Sequence, residues 1–176
     1  MPEILFNEER LKYLDTVDSF EDLIFARLGM YSGLRLNEAL NITPNDIVFP
    51  ERAVSVIGKG NKQRYVPVDH ATLQILQCYL NDRDLGFNDK IFTVTSRTIQ
   101  NRVSAIAEKA GINRIQVTPH TLRHTACSLM LYRKIPVEIV QKIMGHADIS
   151  TTMIYYHTVP NIVVRSYYEA FGEGLL

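Results

Sequence analysis

Apolar positions along the chain recur at two spacings, and the switches between them mark out the elements. From residue 7 the spacing is helical: Asn7 can cap EERLKYLDTV, and SFEDLIFARLGMYSG continues with Leu23, Ile24, Leu28 and Met30 before ending at Gly33. Leu34 to Asn41 reads as a further short helix, stopped before the turn cluster Thr43-Pro44-Asn45-Asp46. Alternation then takes over. DIVF, AVSVIG and QRYVPV, with GKGN supplying glycines around a turn, predict three antiparallel strands. Helical spacing returns at Asp69 through Leu73, Leu76 and Leu80, followed by a loop, DRDLGFNDK, and a short apolar stretch, IFTV. Ser96 starts a helix carrying Ile99, Val103, Ile106 and Ala107 on one side and stopping at Gly111. Thr118-Pro119-His120 opens another, Pro136 leads VEIVQKIMG, Ser150 can cap STTMIYYH, and Asn161 leads IVVRSYYEAFG. With no repeat or linker, the expectation is one domain over 1–176, mainly α with a small three-stranded antiparallel sheet (α+β).

Composition narrows the picture in three ways. At 176 residues the chain is long enough to bury on the order of 70% of its unfolded surface without staples. No apolar run approaches the roughly 18 residues that span a bilayer, which argues against the membrane. MPEILFNEERLK lacks the pattern of a secretion signal, and Cys78 and Cys127 do not make a disulfide framework, so the reading is a reducing, intracellular setting. Charge is balanced at 19 basic against 19 acidic residues, which alone weighs against a nucleic-acid partner. Its distribution points the other way. Residues 1 to 22 hold seven acids against Arg10 and Lys12; residues 52 to 64 hold Arg52, Lys59, Lys62 and Arg64 with no acid. Residues 97 to 124 add Arg97, Arg102, Lys109, Arg114 and Arg123 against Glu108 alone, so a positive face is expected within a neutral total.

Five separated segments place polar residues where an apolar fold does not ask for them: SGLRLNEAL, IGKGNKQRYVPV, TPHTLRHT, MGHADIS and TTMIYY. Their order and spacing resemble the tyrosine recombinases of the phage integrase family. That family's pattern is an arginine in a Gly-Leu-Arg box, a lysine on a hairpin, His-x-x-Arg, a Gly-His, and a tyrosine nine positions later. The resemblance runs from about Asn7 to Tyr155. It implies the family's catalytic-domain fold and a site-specific enzyme that breaks and rejoins DNA strands through a 3′-phosphotyrosyl link, without metal or ATP.

Moving a phosphodiester onto an enzyme hydroxyl needs a nucleophile, charge stabilisation at phosphorus and a proton for the departing 5′ oxygen. The resemblance gives these roles to Tyr155 as nucleophile and to Arg35 and Arg123 as bidentate holders of the nonbridging oxygens. It gives His146 a third hydrogen bond to the same oxygens and sets His120 beside the tyrosine hydroxyl to accept or shuttle its proton. Lys59 becomes the general acid, chosen over Lys62 because the family places its lysine between the two glycines. Glu38, three residues after Arg35, is implied as a buried carboxylate orienting the site. Lys62 and Arg64 are expected on the DNA backbone.

Plainer readings stand beside these. Arg35, Lys59 and Lys62 taken singly are solvated surface charges. His120 and His124 have the spacing of a zinc pair, but no third ligand lies near them in sequence, and His124 reads as packed or hydrogen-bonded. His157 reads as structural and Tyr156 as a core or interface aromatic. Residues 135 to 157 also fit a DNA-reading helix-turn-helix, which leaves the Arg35 and Lys59 segments unexplained. For the whole chain the alternatives are a type IB topoisomerase-like relaxase and a non-catalytic DNA-binding or assembly module of recombinase descent. The expected partners are double-stranded DNA and further copies of the chain, four on two duplexes, in the cytoplasm at the nucleoid; no cofactor is expected. The N-terminal DNA-clamping domain of full recombinases is expected to be absent from this chain, and IVVRSYYEAFGEGLL is an amphipathic candidate for docking into a neighbour or, equally, for folding back on its own domain.

Overall fold

The computed structural model describes residues 2–58 and 63–155. Helix α1 (Asn7–Thr16) takes in Asn7, the expected cap, as its first residue: Phe6 is the extended capping residue, and its N–H donates to the Glu9 carboxylate at 2.8 Å. Ser19 caps α2 (Phe20–Arg27) by accepting from the Asp22 N–H. The chain then widens into a π turn over Leu28–Ser32, closed by Gly33 in the left-handed region with φ of 70°. A short α3 (Leu36–Leu40) leads through a 3₁₀ turn at Pro44–Asp46 into the sheet.

Three strands, β1 (Ile47–Val48), β2 (Ala53–Ile57) and β3 (Gln63–Pro67), pair antiparallel in chain order. The register sets Val54 opposite Val66 and Val56 opposite Arg64. Directly paired residues share a face, so Arg64 lies on the face of the buried valines.

The remaining helices begin where capping chemistry allows. Asp69 caps α4 (His70–Asn81), Thr95 caps α5 (Ser96–Lys109), and Thr118 followed by Pro119 opens α6 (Pro119–Tyr132). Helix α7 (Val137–Met144) ends at Gly145, again left-handed with φ of 63°. Helix α8 (Ile149–Met153) is capped by Asp148, which takes the place expected of Ser150 because its carboxylate accepts the Ser150 N–H at 2.8 Å.

Helix α6 is the axis of the molecule. Its first half, through Leu122, closes the main core with Tyr13, Ile24, Leu28, Met30 and Ile99. Its second half, Ala126 to Leu131, forms a second core with Val140, Met144 and Tyr155. Close approach is permitted by Gly29, where an added Cβ would stand 3.0 Å from Leu122 Cβ. Among the described residues no helix is long and apolar enough to cross a membrane.

Candidate active site

Arg123 projects from the second turn of α6 and is only 5% exposed. Its guanidinium donates to two carbonyls at helix ends, Gly33 O and, at 2.5 Å, Met144 O. Both helices stop in a left-handed glycine, which turns the chain away and leaves late carbonyls without partners inside their own helices. A cation there also meets the negative end of each helix dipole. Burial, then repulsion from Arg35, pulls the Arg123 pKa down to about 10, so it stays charged at neutral pH.

Arg35 stands at the start of α3. Its backbone N–H and Nη1 donate to the two Glu38 oxygens at 2.9 and 2.8 Å, and its Nη2 donates to Gly145 O at 2.8 Å. Glu38, with 6% of its side chain exposed, also receives both Nη atoms of Arg64 at 2.9 Å. Burial by itself would raise the Glu38 pKa, but the hydrogen bonds from Arg64 and Arg35 outweigh it and hold it at about 2. Arg64 further donates Nε to Ile143 O at 3.0 Å. Where the sequence reading has Arg64 on the DNA backbone, the structure has it turned inward, tying β3 to α3 and to the end of α7.

The His146 ring, just past Gly145, shares a 2.9 Å hydrogen bond between Nδ1 and Thr152 Oγ1. Burial, then the nearby Arg123 and Arg35 charges, push its pKa down to about 4, so the ring is neutral at physiological pH. Tyr155 is 4% exposed in the second core, where burial drives its phenol up to about 12. Its hydroxyl is hydrogen-bonded to His124 Nδ1, with ring centroids 5.5 Å apart. The sequence reading sets His120 beside this hydroxyl. In the structure the adjacent ring is His124, one turn further along α6, and His120 is exposed and stacked on His124 at 6.4 Å. Burial, then His120 and Arg123, lower the His124 pKa.

A cleft of about 630 Å³ lies over Arg35, Glu38, Gly58, Ser96, Gln100 and His120. Lys59, Lys62, Tyr156, His157 and the segment 161–176 lie outside the described residues. The structure thus gathers Arg35, Glu38, Arg123, His146 and Tyr155 around the ends of α6 and α7, with His120 at the cleft rim. Sequence reasoning missed the carbonyl acceptors at Gly33, Met144 and Gly145 and the Thr152 partner of His146; it read His124 as packed or hydrogen-bonded, as it is, without naming Tyr155 as the partner. The glycines carried a signal, since each closes a helix beside a candidate site residue. Among the described residues, no three His, Cys, Asp or Glu side chains cluster as a metal site.

A helical domain with a small three-stranded sheet, paired arginines and a buried tyrosine on the last described turn is the arrangement of tyrosine recombinase catalytic domains. The chain belongs to the phage integrase family, whose model matches residues 6–161. It is 30% identical to the tyrosine recombinase XerD of Staphylococcus haemolyticus over 187 residues, which covers 97% of this chain and 63% of that protein. The chain therefore spans less than two thirds of that relative's length. Among solved structures it superimposes on XerA recombinase with a TM-score of 0.84 at 28% identity, covering 98% of this chain and 66% of that one. XerH site-specific recombinase bound to palindromic difH substrate in a post-cleavage complex gives 0.82 at 25% identity, covering 95% and 53%.

Proposed function

We propose that this chain is the catalytic part of a site-specific DNA recombinase or integrase that breaks and rejoins strands through a 3′-phosphotyrosyl link at Tyr155. The observation that carries the reading is the convergence of Arg35 and Arg123, each pinned by helix-end carbonyls, on the same region as His146 and the Tyr155 phenol. Pinning matters because electrostatic stabilisation of a pentacoordinate phosphorus is strongest when the donors need not reorganise.

In this mechanism the nonbridging oxygens of a scissile phosphate enter the cleft and take the remaining guanidinium N–H donors of Arg35 and Arg123. His146 is neutral, and the mechanism uses the tautomer in which Nδ1 accepts from the Thr152 hydroxyl it is paired with, which puts the ring proton on Nε2 as a further donor. Glu38 stays ionised and orients Arg35 rather than touching DNA. His120 works at the cleft rim against the phosphate. Lys59 protonates the departing 5′ oxygen, and Lys62 contacts the DNA backbone. The aryl phosphate conserves the energy of the broken bond, so resealing needs neither ATP nor metal. Four copies on two duplexes at the nucleoid would exchange strands, and the XerH complex with difH DNA supports duplex DNA as the partner.

The test is incubation with nicked suicide duplexes carrying candidate sites in EDTA, read on denaturing gels. A covalent adduct is expected from the wild type and from Tyr156→Phe, and none from Tyr155→Phe. An adduct that survives Tyr155→Phe contradicts the assignment. Relaxation of supercoils without recombinant products would move the activity to the topoisomerase-like class.

A further inference from the structure

We infer that His124, rather than the histidine at the start of α6, takes the phenol proton of Tyr155 as that oxygen attacks DNA phosphorus. The inference deepens the strand-transfer reading above and rests on it.

Among the described residues the geometry offers few acceptors. Tyr155 is 4% exposed, so bulk water does not serve its hydroxyl, and the proton must pass to a side chain. Of the titratable groups around it, Arg123 is a cation and has no lone pair to offer. Cys127, on the buried side of α6, is held protonated by burial, with its thiol at about 12. His146 already shares its Nδ1 with Thr152. His120 stacks on His124 at 6.4 Å and is exposed. His124 alone of these rings has a nitrogen hydrogen-bonded to the phenol oxygen.

The electrostatic setting suits a base. Burial, then His120 and Arg123, keep the His124 ring uncharged at neutral pH, and it also sits in the field shared with His146. A phenol at about 12 does not ionise on its own at neutral pH; its proton becomes acidic only as the oxygen bonds to phosphorus. The Oη–P bond forms while P–O5′ breaks, the phenol proton moves to His124 Nδ1, and O5′ takes a proton from the general acid assigned above to Lys59. In resealing, the 5′ hydroxyl attacks and gives its proton back to Lys59, the Oη–P bond breaks, and the phenolate recovers its proton from His124.

Single-turnover adduct formation would be measured for the wild type, His124→Asn and His124→Phe, on ordinary suicide DNA and on DNA with a 5′-bridging phosphorothiolate at the scissile position. Thermal melts and gel-shift affinity serve as folding controls. Asparagine can accept the phenol's hydrogen bond but cannot carry its proton; phenylalanine keeps the ring and can do neither. Both variants are expected to cut about 10²-fold more slowly with unchanged DNA affinity. The phosphorothiolate, which needs no proton on its leaving group, should not restore them.

Wild-type cleavage should fall with acid on a limb centred below the ordinary histidine value of 6.5. The variants should lose that limb while keeping the separate titration of His146 at about 4. Cleavage at the wild-type rate by either variant, restoration by the phosphorothiolate, or a wild-type limb centred above 6.5 overturns the inference. A wild type that forms no adduct on any substrate overturns the strand-transfer reading itself, and this inference with it.

Discussion

Gly145 and Gly111 both hold left-handed backbone, at φ of 63° and 72°, yet their surroundings differ completely. A Cβ at Gly111 would meet nothing within 4 Å; one at Gly145 would stand 2.9 Å from Arg64 Cζ and 3.0 Å from its Nε. Gly111→Ala should therefore cost only the conformational penalty of about 1 kcal/mol, while Gly145→Ala should cost about 2 to 3 kcal/mol because the Arg64–Glu38 pair must shift too. Chemical denaturation of the two variants measures the difference. Activity should separate them further: Gly145 O holds Arg35 at 2.8 Å, so Gly145→Ala should slow adduct formation and Gly111→Ala should not. Equal stability loss at both sites would mean that the crowding at Gly145 carries no energy.

The side chain of Arg64 joins strand β3 to both helix α3 and the end of α7. Arg64→Ala leaves Glu38 as a buried carboxylate with half its donors gone, a loss of about 3 kcal/mol. The sign with pH follows from the Glu38 pKa, depressed from 4.5 to about 2. Its contribution is fully present above 4.5 and is lost as pH falls toward 2, so wild type and variant should differ at pH 7 and converge near pH 2 in thermal melts. A constant gap across that window contradicts the pairing. DNA affinity should fall little at matched salt, because this arginine is spent inside the protein. Its inward direction was legible in the alternation of QRYVPV, where Arg64 keeps step with Val66 and Val68. What hid it was the partner: Glu38 lies 26 residues earlier, and no local pattern joins the two. The helices were readable for the opposite reason, since the period and caps that define them act within a turn. His120 and His124 show the same boundary. Their spacing puts both on one side of α6, but which ring meets Tyr155 depends on how the last turn packs on α6.

Over the whole molecule, tertiary pairing overrides the charge segregation seen along the chain. The acids of the first 22 residues fold onto the basic residues of the later segment: Arg102 meets Glu21 at 2.9 Å and Asp22 at 3.3 Å, Lys109 meets Asp18 at 2.6 Å, and Arg114 meets Glu9 at 2.9 Å. The positive stretch expected from residues 97–124 is thus largely neutralised where it stands. Among the described residues Arg35, 36% exposed on its side chain, is the arginine that lines the cleft. Counterion release makes this measurable, because each lysine or arginine that neutralises a phosphate steepens the dependence of log affinity on log salt by about 0.9. Lys109→Ala and Arg114→Ala should leave that slope unchanged, whereas Arg35→Ala should lower it by about 1. The measurement is DNA binding by fluorescence anisotropy across a salt series. If Lys109→Ala or Arg114→Ala flattens the slope as much as Arg35→Ala does, these residues leave their acidic partners to reach DNA, and the neutral total conceals a wider positive face than the folded pairs imply.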